Sequence, residues 1–154
     1  EHKKLYGESC EVPEEEYTIP LGKGDIKREG KDMSIITYSR CVNFALEAAE
    51  ELAKEGIDAE VVDIRTLKPL DEEIIISSVQ KTSKAMVVYE ACRTGGFGAE
   101  IAALIGEKAF DYLDAPIRRV ASLDSPVSFN PGQERYILVN PEKIKAAALE
   151  MMGK

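Results

Sequence analysis

The feature that most constrains the fold is a regular alternation of short apolar runs with amphipathic segments. Residues 34–38, 59–64 and 85–89 are rich in Val, Ile and Ala, and apolar residues at helical spacing follow them. Short apolar runs bounded by turn residues predict strands that are buried on both faces of a sheet. Strands that alternate with helices pair in parallel through right-handed crossovers. The pattern therefore predicts a three-layer α/β/α sandwich.

The predicted order of elements is β-β-α-β-α-β-α-β-α, in one domain that covers residues 25–154. Its first two strands flank Gly30-Lys31, and we interpret them as a hairpin in which the first strand is an antiparallel edge strand. The other three strands are expected to pair in parallel, which gives a five-stranded, mostly parallel sheet. The predicted strands cover residues 25–29, 33–38, 59–64, 85–90 and 117–121.

Polar residues mark the predicted helix starts. Ser39 is placed to cap a helix that runs to about residue 55, and Asp71 to cap a helix over residues 72–81. Asn140, followed by a proline, begins the last helix. The proline-bearing stretch before Asn140 is expected to be a long loop.

Residues 1–24 differ in character from the rest of the chain. They carry a charged, proline-bearing run over 11–16, and they end in the turn-forming segment Pro-Leu-Gly-Lys-Gly over 20–24. We interpret this segment as a linker from a preceding domain, and a frayed terminus is the alternative. The sequence starts at Glu1 rather than Met, which makes a processed chain or an excised fragment a further interpretation.

Composition excludes several classes of partner and compartment. With a net charge of −8, the chain is not expected to bind nucleic acid or an anionic membrane. It contains no apolar stretch near the roughly 20 residues that span a bilayer, and no signal peptide opens it. Cys10, Cys41 and Cys92 are widely spaced and odd in number, which favours free thiols, a reducing compartment and no structural zinc.

A glycine-rich corner, residues 94–98, follows the predicted strand over 85–90. Its three glycines, Gly95, Gly96 and Gly98, allow a sharp turn and a close approach of backbone. Such a corner lies at the carboxyl end of a parallel sheet, where α/β folds place ligands or partners. It matches a dinucleotide fingerprint only in part, because Ile101 occupies the third glycine position. The favoured interpretation is a tight corner that another subunit approaches.

Charged residues at the strand ends are the remaining candidates. Glu90 ends a strand that is otherwise apolar, and Arg65 ends the strand before it in the chain, so the two could form a structural ion pair or an acid–base site. Arg93 could lower the pKa of its neighbour Cys92, but the one histidine, His2, lies in the linker, so no Cys–His pair is evident.

Two adjacent arginines, Arg118 and Arg119, lie within the last predicted strand. A buried strand tolerates one arginine whose head reaches outward. We therefore expect one of the two to lie at an interface or to pair with an acidic side chain.

Several motifs together resemble the C-terminal domain of the β subunit of thiamine-diphosphate-dependent 2-oxoacid dehydrogenases. The resemblance covers essentially the whole chain, and its most recognisable run is Val-Val-Asp-Ile-Arg-Thr-Leu-Lys-Pro-Leu-Asp over residues 61–71. The other matching segments are 19–32, 35–39, 90–101, 114–116 and 119–120.

This resemblance implies a fold like that of the transketolase C-terminal domain, with the first of five strands antiparallel. It also implies an E1 component for pyruvate, a branched-chain 2-oxoacid or acetoin, which passes an acyl group to lipoyl-bearing E2. Thiamine diphosphate and Mg²⁺ would be held by an N-terminal domain and an α subunit, with no cofactor in this chain. Residues 1–6 look like the tail of that N-terminal domain.

The resemblance carries over no catalytic, cofactor-binding or metal-binding residue to this chain. It implies as partners an E1 α subunit, a second β subunit and the E2 acyltransferase, in the cytoplasm or the mitochondrial matrix. Another transketolase-family enzyme and a free-standing anion-binding α/β module are the alternatives. The candidate subunit interface or strand-end crevice consists of Arg65, Glu90, Arg93, Gly95, Gly96, Phe97 and Gly98.

Overall fold

A computed structural model of the chain describes residues 2–9 and 11–154. Glu1, the first residue of the segment 1–6 interpreted as the tail of a preceding domain, lies outside the described residues, and so does Cys10, interpreted as a free thiol. In the described part of the chain, no helix combines the length and the apolar character needed to cross a membrane.

Five strands form one sheet in the spatial order β1-β3-β2-β4-β5. Four of them run parallel, and β1 runs antiparallel to β3 at one edge. The predicted fold class, a mostly parallel five-stranded sheet with one antiparallel edge strand, is confirmed. The strands are β1 (Asp25–Arg28), β2 (Met33–Thr37), β3 (Ala59–Asp63), β4 (Ala85–Cys92) and β5 (Arg118–Ser122).

The predicted hairpin of the first two strands is wrong. β1 pairs with β3, with Asp25 opposite Asp63, because β2 already has β3 on one side and β4 on the other. Gly30 instead passes against the start of β3, where a Cβ atom would lie 2.2 Å from the backbone nitrogen of Glu60. The turn therefore carries the chain past the end of β3 rather than directly back along β1.

Helices cover both faces of the sheet, as the alternating pattern predicts. On one face, α1 (Cys41–Lys54) and α5 (Pro141–Met151) pack against alternate side chains of the central strands. On the other face, α2 (Glu72–Thr82) and α3 (Gly98–Lys108) pack against the intervening side chains. Each central strand is therefore buried on both sides.

One helix lies in the stretch predicted to be a loop. This helix, α4 (Pro131–Ile137), begins at Asn130, whose side chain accepts hydrogen bonds from the backbone of Gly132 and Gln133. Asn130 followed by Pro131 is the same start signal as the pair at Asn140, where the side chain accepts from Lys143 N at 3.0 Å. The sequence therefore contains a helix-start signal at Asn130, but the other prolines of this stretch are typical of a loop.

One of the predicted helix caps is confirmed and another is wrong. Asp71 caps α2 as expected, since its Oδ1 accepts from Ile74 N at 3.4 Å. Ser39 does not cap α1, which begins two residues later at Cys41 without a side-chain cap. Ser39 has a positive φ of 56° and instead turns the chain between β2 and α1.

Candidate functional site

A crevice lies between the carboxyl ends of β2, the central strand of the sheet, and its neighbour β4. The chain leaves β2 through α1 on one face towards β3, and it leaves β4 through α3 on the other face towards β5. Connections that diverge in this way mark the switch point where open α/β sheets leave room for ligands. The cavity there has a volume of about 270 Å³ and is lined by His2, Tyr38, Ser39, Arg40, Cys41, Glu90 and Ala91.

Glu90 lies in this crevice and pairs with His2, not with Arg65. The distance from His2 Nε2 to Glu90 Oε1 is 3.0 Å. The second oxygen, Oε2, is buried without a hydrogen-bond partner among the described residues. The contact joins residues 88 positions apart and holds the N-terminal segment against the end of the sheet. Sequence reasoning assigned His2 to the linker and missed this pair, for which the sequence contains no local signal.

Cys41 lies at the start of α1 on the wall of the same crevice. Burial, together with the neighbouring Glu90 carboxylate, raises the pKa of the Cys41 thiol to about 12. The thiol therefore stays protonated at neutral pH and is a poor nucleophile. Cys92, by contrast, is an exposed free thiol.

Arg65 forms its ion pair at the far edge of the sheet. Its Nη2 lies 2.8 Å from Asp25 Oδ2, which joins the end of β3 to β1. A hydrogen bond from Lys27, followed by the charges of Lys27 and Arg65, holds the pKa of Asp25 below its usual value, although burial opposes the shift. The predicted pairing of Arg65 with Glu90 is wrong because β2 lies between β3 and β4.

The glycine corner is shaped around a buried tyrosine of the same chain. A Cβ atom at Gly98 would lie 1.9 Å from the Tyr89 ring, and one at Gly96 would lie 2.4 Å from it. Gly95 has a positive φ of 75°, which makes the turn, and Phe97 packs partly buried against the same apolar cluster. The close backbone approach that the glycines predict is therefore made, at Gly96 and Gly98, to Tyr89.

Arg93 and Arg119 bind each other's backbone beside this corner. Arg93 Nη1 donates to Arg119 O at 2.9 Å, and Arg119 Nη1 donates to Arg93 O at 3.1 Å and to Tyr89 Oη at 3.2 Å. Arg118 pairs with Glu150 on α5 at 3.3 Å. The expectation that one of the two strand arginines pairs with an acidic side chain is confirmed.

The seven residues of the predicted crevice therefore separate into three groups. Arg65 lies at the β1 edge, Glu90 lies at the central crevice, and Arg93 lies beside β5 with the glycine corner next to it. Within residues 2–9 and 11–154, no three His, Cys, Asp or Glu side chains are grouped so as to hold a metal ion.

Comparison with known families identifies the fold. The model of the family described as "Transketolase, C-terminal domain" matches residues 22–144. The chain belongs to the transketolase C-terminal domain family. The resemblance drawn from the sequence motifs is confirmed.

The similar curated proteins are β subunits of dehydrogenases from Bacillus subtilis (strain 168). The chain is 48% identical over 153 residues to 2-oxoisovalerate dehydrogenase subunit beta, covering 98% of this chain and 47% of that protein. It is 47% identical to acetoin:2,6-dichlorophenolindophenol oxidoreductase subunit beta, covering 100% and 45%. For pyruvate dehydrogenase E1 component subunit beta the identity is 49%, covering 96% and 46%. The chain thus spans about half the length of the curated relatives it matches.

Solved structures of similar shape include a split gene transketolase described as an inactive beta4 tetramer. It is 28% identical with a TM-score of 0.78, and the match covers 89% of this chain and 44% of that chain. A 2-oxoglutarate:ferredoxin oxidoreductase from Magnetococcus marinus matches at 15% identity with a TM-score of 0.59, over 84% of this chain and 20% of that one. The second likeness shows the fold alone.

Proposed function

We propose that this chain serves as the C-terminal domain of the E1 β subunit of a 2-oxoacid or acetoin dehydrogenase. The observation that carries the proposal is 47–49% identity, over 96% or more of the chain, to three dehydrogenase β subunits. In this role the domain supports subunit assembly, while the decarboxylation chemistry takes place elsewhere in the complex.

The near-equal identity to relatives with different substrates in their names supports this division of roles. A half that distinguished pyruvate from 2-oxoisovalerate or acetoin would resemble one relative more than the others, yet the three identities differ by only two percentage points. Substrate choice would then lie in the N-terminal half of the β subunit and in the α subunit.

The geometry of the strand ends supports a structural role as well. Arg65 is held by Asp25, and Glu90 is held by His2, so the charged groups fix backbone segments to the sheet. The raised pKa of Cys41 leaves the crevice without a ready thiolate. Thiamine diphosphate and Mg²⁺, which the family resemblance implies for the parent enzyme, would be bound by the other domain and the α subunit.

The partners that follow are an E1 α subunit, a second β subunit and E2. The residues proposed for subunit contact are Arg65, Glu90, Arg93 and the corner that contains Gly95, Gly96, Phe97 and Gly98. The compartment would be the bacterial cytoplasm or the mitochondrial matrix, since relatives from Dictyostelium discoideum and Arabidopsis thaliana are named as mitochondrial.

A domain exchange tests the proposal. The C-terminal half of the Bacillus subtilis 2-oxoisovalerate dehydrogenase β subunit is replaced by this chain and co-expressed with its α subunit. We expect an assembled complex that still oxidises 2-oxoisovalerate in preference to pyruvate. The matched control carries the corresponding half of the split gene transketolase, which is expected not to assemble. A folded chimera that fails to bind the α subunit would overturn the proposal.

The chain by itself is expected to bind no thiamine diphosphate. The reason is that the family resemblance assigns the pyrimidine, diphosphate and metal contacts to other parts of the enzyme. Calorimetric titration of the chain with thiamine diphosphate and Mg²⁺ checks this, with the assembled chimera as the positive control. Tight, saturable binding to the chain alone would contradict the division of roles.

A further inference from the structure

Three arginines border one open crevice along the outer edge of β5. Arg93, Arg118 and Arg119 line it together with residues 115–117 and the end of α5, and its volume is about 440 Å³. A crevice of this size is within the range that accepts small molecules. It is separate from the switch-point crevice at Glu90, with which it shares no lining residue.

Reciprocal hydrogen bonds link two of these arginines to each other's backbone. Arg93 and Arg119 each donate one terminal nitrogen, Nη1, to the backbone carbonyl of the other. The second terminal nitrogen of each group, Nη2, has no acceptor within the described part of the chain. Each guanidinium group is therefore fixed through one nitrogen and keeps unused donors, and guanidinium donors are the groups that bind oxyanions best.

The charge of this pair is not neutralised by a direct ion pair. No carboxylate of the described residues lies within 4.0 Å of either Arg93 or Arg119, whereas Arg118 is paired with Glu150. Asp124 is the nearby acid, but its carboxylate accepts from Thr94 N at 2.9 Å and from Thr94 Oγ1 at 2.6 Å. Hydrogen bonds from Thr94, and after them the charges of Arg93 and Arg119, lower the pKa of Asp124.

Two like charges held together at a protein surface repel each other unless an anion compensates them. Asp124 compensates part of this charge through space, but no acidic side chain of the described residues forms a direct ion pair with either arginine, although the chain has a net charge of −8. We propose that Arg93 and Arg119, flanked by Arg118, bind a phosphate group, either free or as part of a small phosphate monoester. The match is one of charge and shape, because such a group carries close to two negative charges at neutral pH and several acceptor oxygens.

This proposal does not rest on the dehydrogenase role, but the site shares Arg93 with the residues proposed for subunit contact. The shared chemistry is the phosphoryl group, whose source is either free phosphate or a phosphorylated small molecule. A nucleic acid is disfavoured as the ligand, because a chain with a net charge of −8 repels a polyanion.

The test is calorimetric titration of the chain with inorganic phosphate and, separately, with glycerol 1-phosphate at physiological salt. We expect saturable binding that Arg93→Gln weakens about tenfold to a hundredfold, the usual loss for a charge-assisted hydrogen-bonded contact. Arg93→Lys keeps the charge but loses the fork, so its loss should be smaller. Arg135→Gln is the matched control, since Arg135 is exposed and already paired with Glu142.

The binding result for Arg119→Gln is interpreted together with the thermal unfolding midpoint of that variant, because Arg119 also donates a hydrogen bond to Tyr89 Oη. Tyr89 Oη reaches only the backbone carbonyl of Arg93, so substitution of the Arg93 side chain leaves that contact in place. The Arg93 variants therefore decide the matter if Arg119→Gln unfolds. Tighter binding of glycerol 1-phosphate than of phosphate supports a phosphorylated small molecule, and equal binding supports free phosphate as the ligand. The proposal is overturned if neither probe binds saturably, or if Arg93→Gln binds as well as Arg135→Gln.

Discussion

Asp71 joins two segments of the chain at the start of α2. Its Oδ1 caps the helix at Ile74 N, and its Oδ2 accepts from Gly24 N at 3.0 Å. The side chain is almost fully buried, so water would not readily replace it. One carboxylate therefore fixes both the beginning of the helix and the residue that precedes β1.

Replacement of Asp71 by alanine is expected to destabilise the chain by about 1–2 kcal/mol. The usual loss for a helix cap is about 1 kcal/mol, and the unsatisfied Gly24 N–H adds to it. Urea denaturation measures the difference. Asp111→Ala is the control, because Asp111 is an exposed aspartate and should change stability by less than about 0.5 kcal/mol. Equal effects of the two substitutions would contradict the capping role.

Cys41 is expected to react with alkylating reagents far more slowly than Cys92. Because the pKa of Cys41 is raised from 9.0 to about 12, its thiolate fraction at pH 8 falls roughly a thousandfold. Brief treatment with iodoacetamide followed by peptide mapping measures both sites in one sample. Labelling of Cys41 at the rate of Cys92 in the folded chain would show that the thiol is accessible and ionised.

The raised pKa of Cys41 also makes the free energy of unfolding depend on pH in the alkaline range. The folded state holds the Cys41 proton more tightly than the unfolded state, so this contribution is complete below pH 9 and is lost as pH rises from 9 to about 12. We expect Cys41→Ala to remove this part of the decline. Urea midpoints at about pH 8 and about pH 10, compared between the two chains, check the sign.

Single residues were the least predictable level from sequence. The Asp71 cap followed from local spacing, but Ser39 offered the same type of signal and instead adopts a left-handed turn. The partner of Glu90 could not be found, since His2 lies 88 positions away in the chain and meets Glu90 only through the tertiary fold. Local hydrogen bonds are encoded within a few residues, whereas long-range pairs depend on which strands become neighbours.

At the level of elements, Tyr89 and the first turn of α3 are fitted to each other. The ring is fully buried, and Gly96 and Gly98 leave the space that it fills. The glycine corner therefore sets the distance between β4 and α3. Its sequence pattern predicted a close approach correctly but gave no indication that the approaching group was the preceding tyrosine.

Gly98→Ala is expected to destabilise the chain by about 1–3 kcal/mol, the usual cost of overpacking a core. The added methyl group would lie 1.9 Å from the Tyr89 ring, which is fully buried. Gly106→Ala in the same helix is the matched control, because a Cβ atom there meets nothing within 4 Å. That control should gain about 0.5–1 kcal/mol from helix propensity. Thermal and urea denaturation compare the two, and similar changes would contradict the packing argument.

A buried polar chain ties α2 to the sheet near the amino ends of the strands. Ser34 Oγ on β2 lies 2.6 Å from Ser78 Oγ and 2.6 Å from Thr82 Oγ1, both on α2. Ser78 also donates to Glu60 Oε1 at 2.6 Å, and the Lys81 ammonium pairs with the same carboxylate. A fully buried glutamate is tolerated because each oxygen has a donor.

Element types were predicted well because hydrophobic periodicity is local, but the strand order was not. The runs at 34–38, 59–64 and 85–90 became β2, β3 and β4 within one or two residues at each end. The neighbours of β1 were misassigned, because proximity in sequence favoured β2 whereas the open side of the sheet belonged to β3. Strand order depends on which edges remain free, a property of the assembled sheet.

At the scale of the whole molecule, the chain is expected to form a weak dimer. Arg65, exposed at the end of β3, and the glycine corner are the proposed contact, so Arg65→Ala should shift the population towards monomer. Sedimentation velocity over a range of concentrations measures this. Phe97→Ala is a second variant, interpreted with its thermal midpoint because Phe97 packs partly against the core.

The control for the dimer is Arg135→Ala, which removes an exposed arginine on α4. It should leave the sedimentation profile unchanged. A chain that stays monomeric at every concentration, with or without the substitutions, would remove the case for a contact through these residues. Because the chain spans about half the length of its relatives, part of a full interface would come from the other half.

The edge position of β1 determines what a shortened chain would expose. β1 is only four residues long, carries charges at three of them, and is the strand that pairs with the outer edge of β3. A fragment that began after residue 30 would expose β3 as an unpaired edge whose Val61 and Val62 side chains are otherwise fully buried. Such an edge is a template for strands from other molecules. We therefore expect such a fragment to aggregate in a sedimentation assay under conditions in which the chain with β1 stays dispersed.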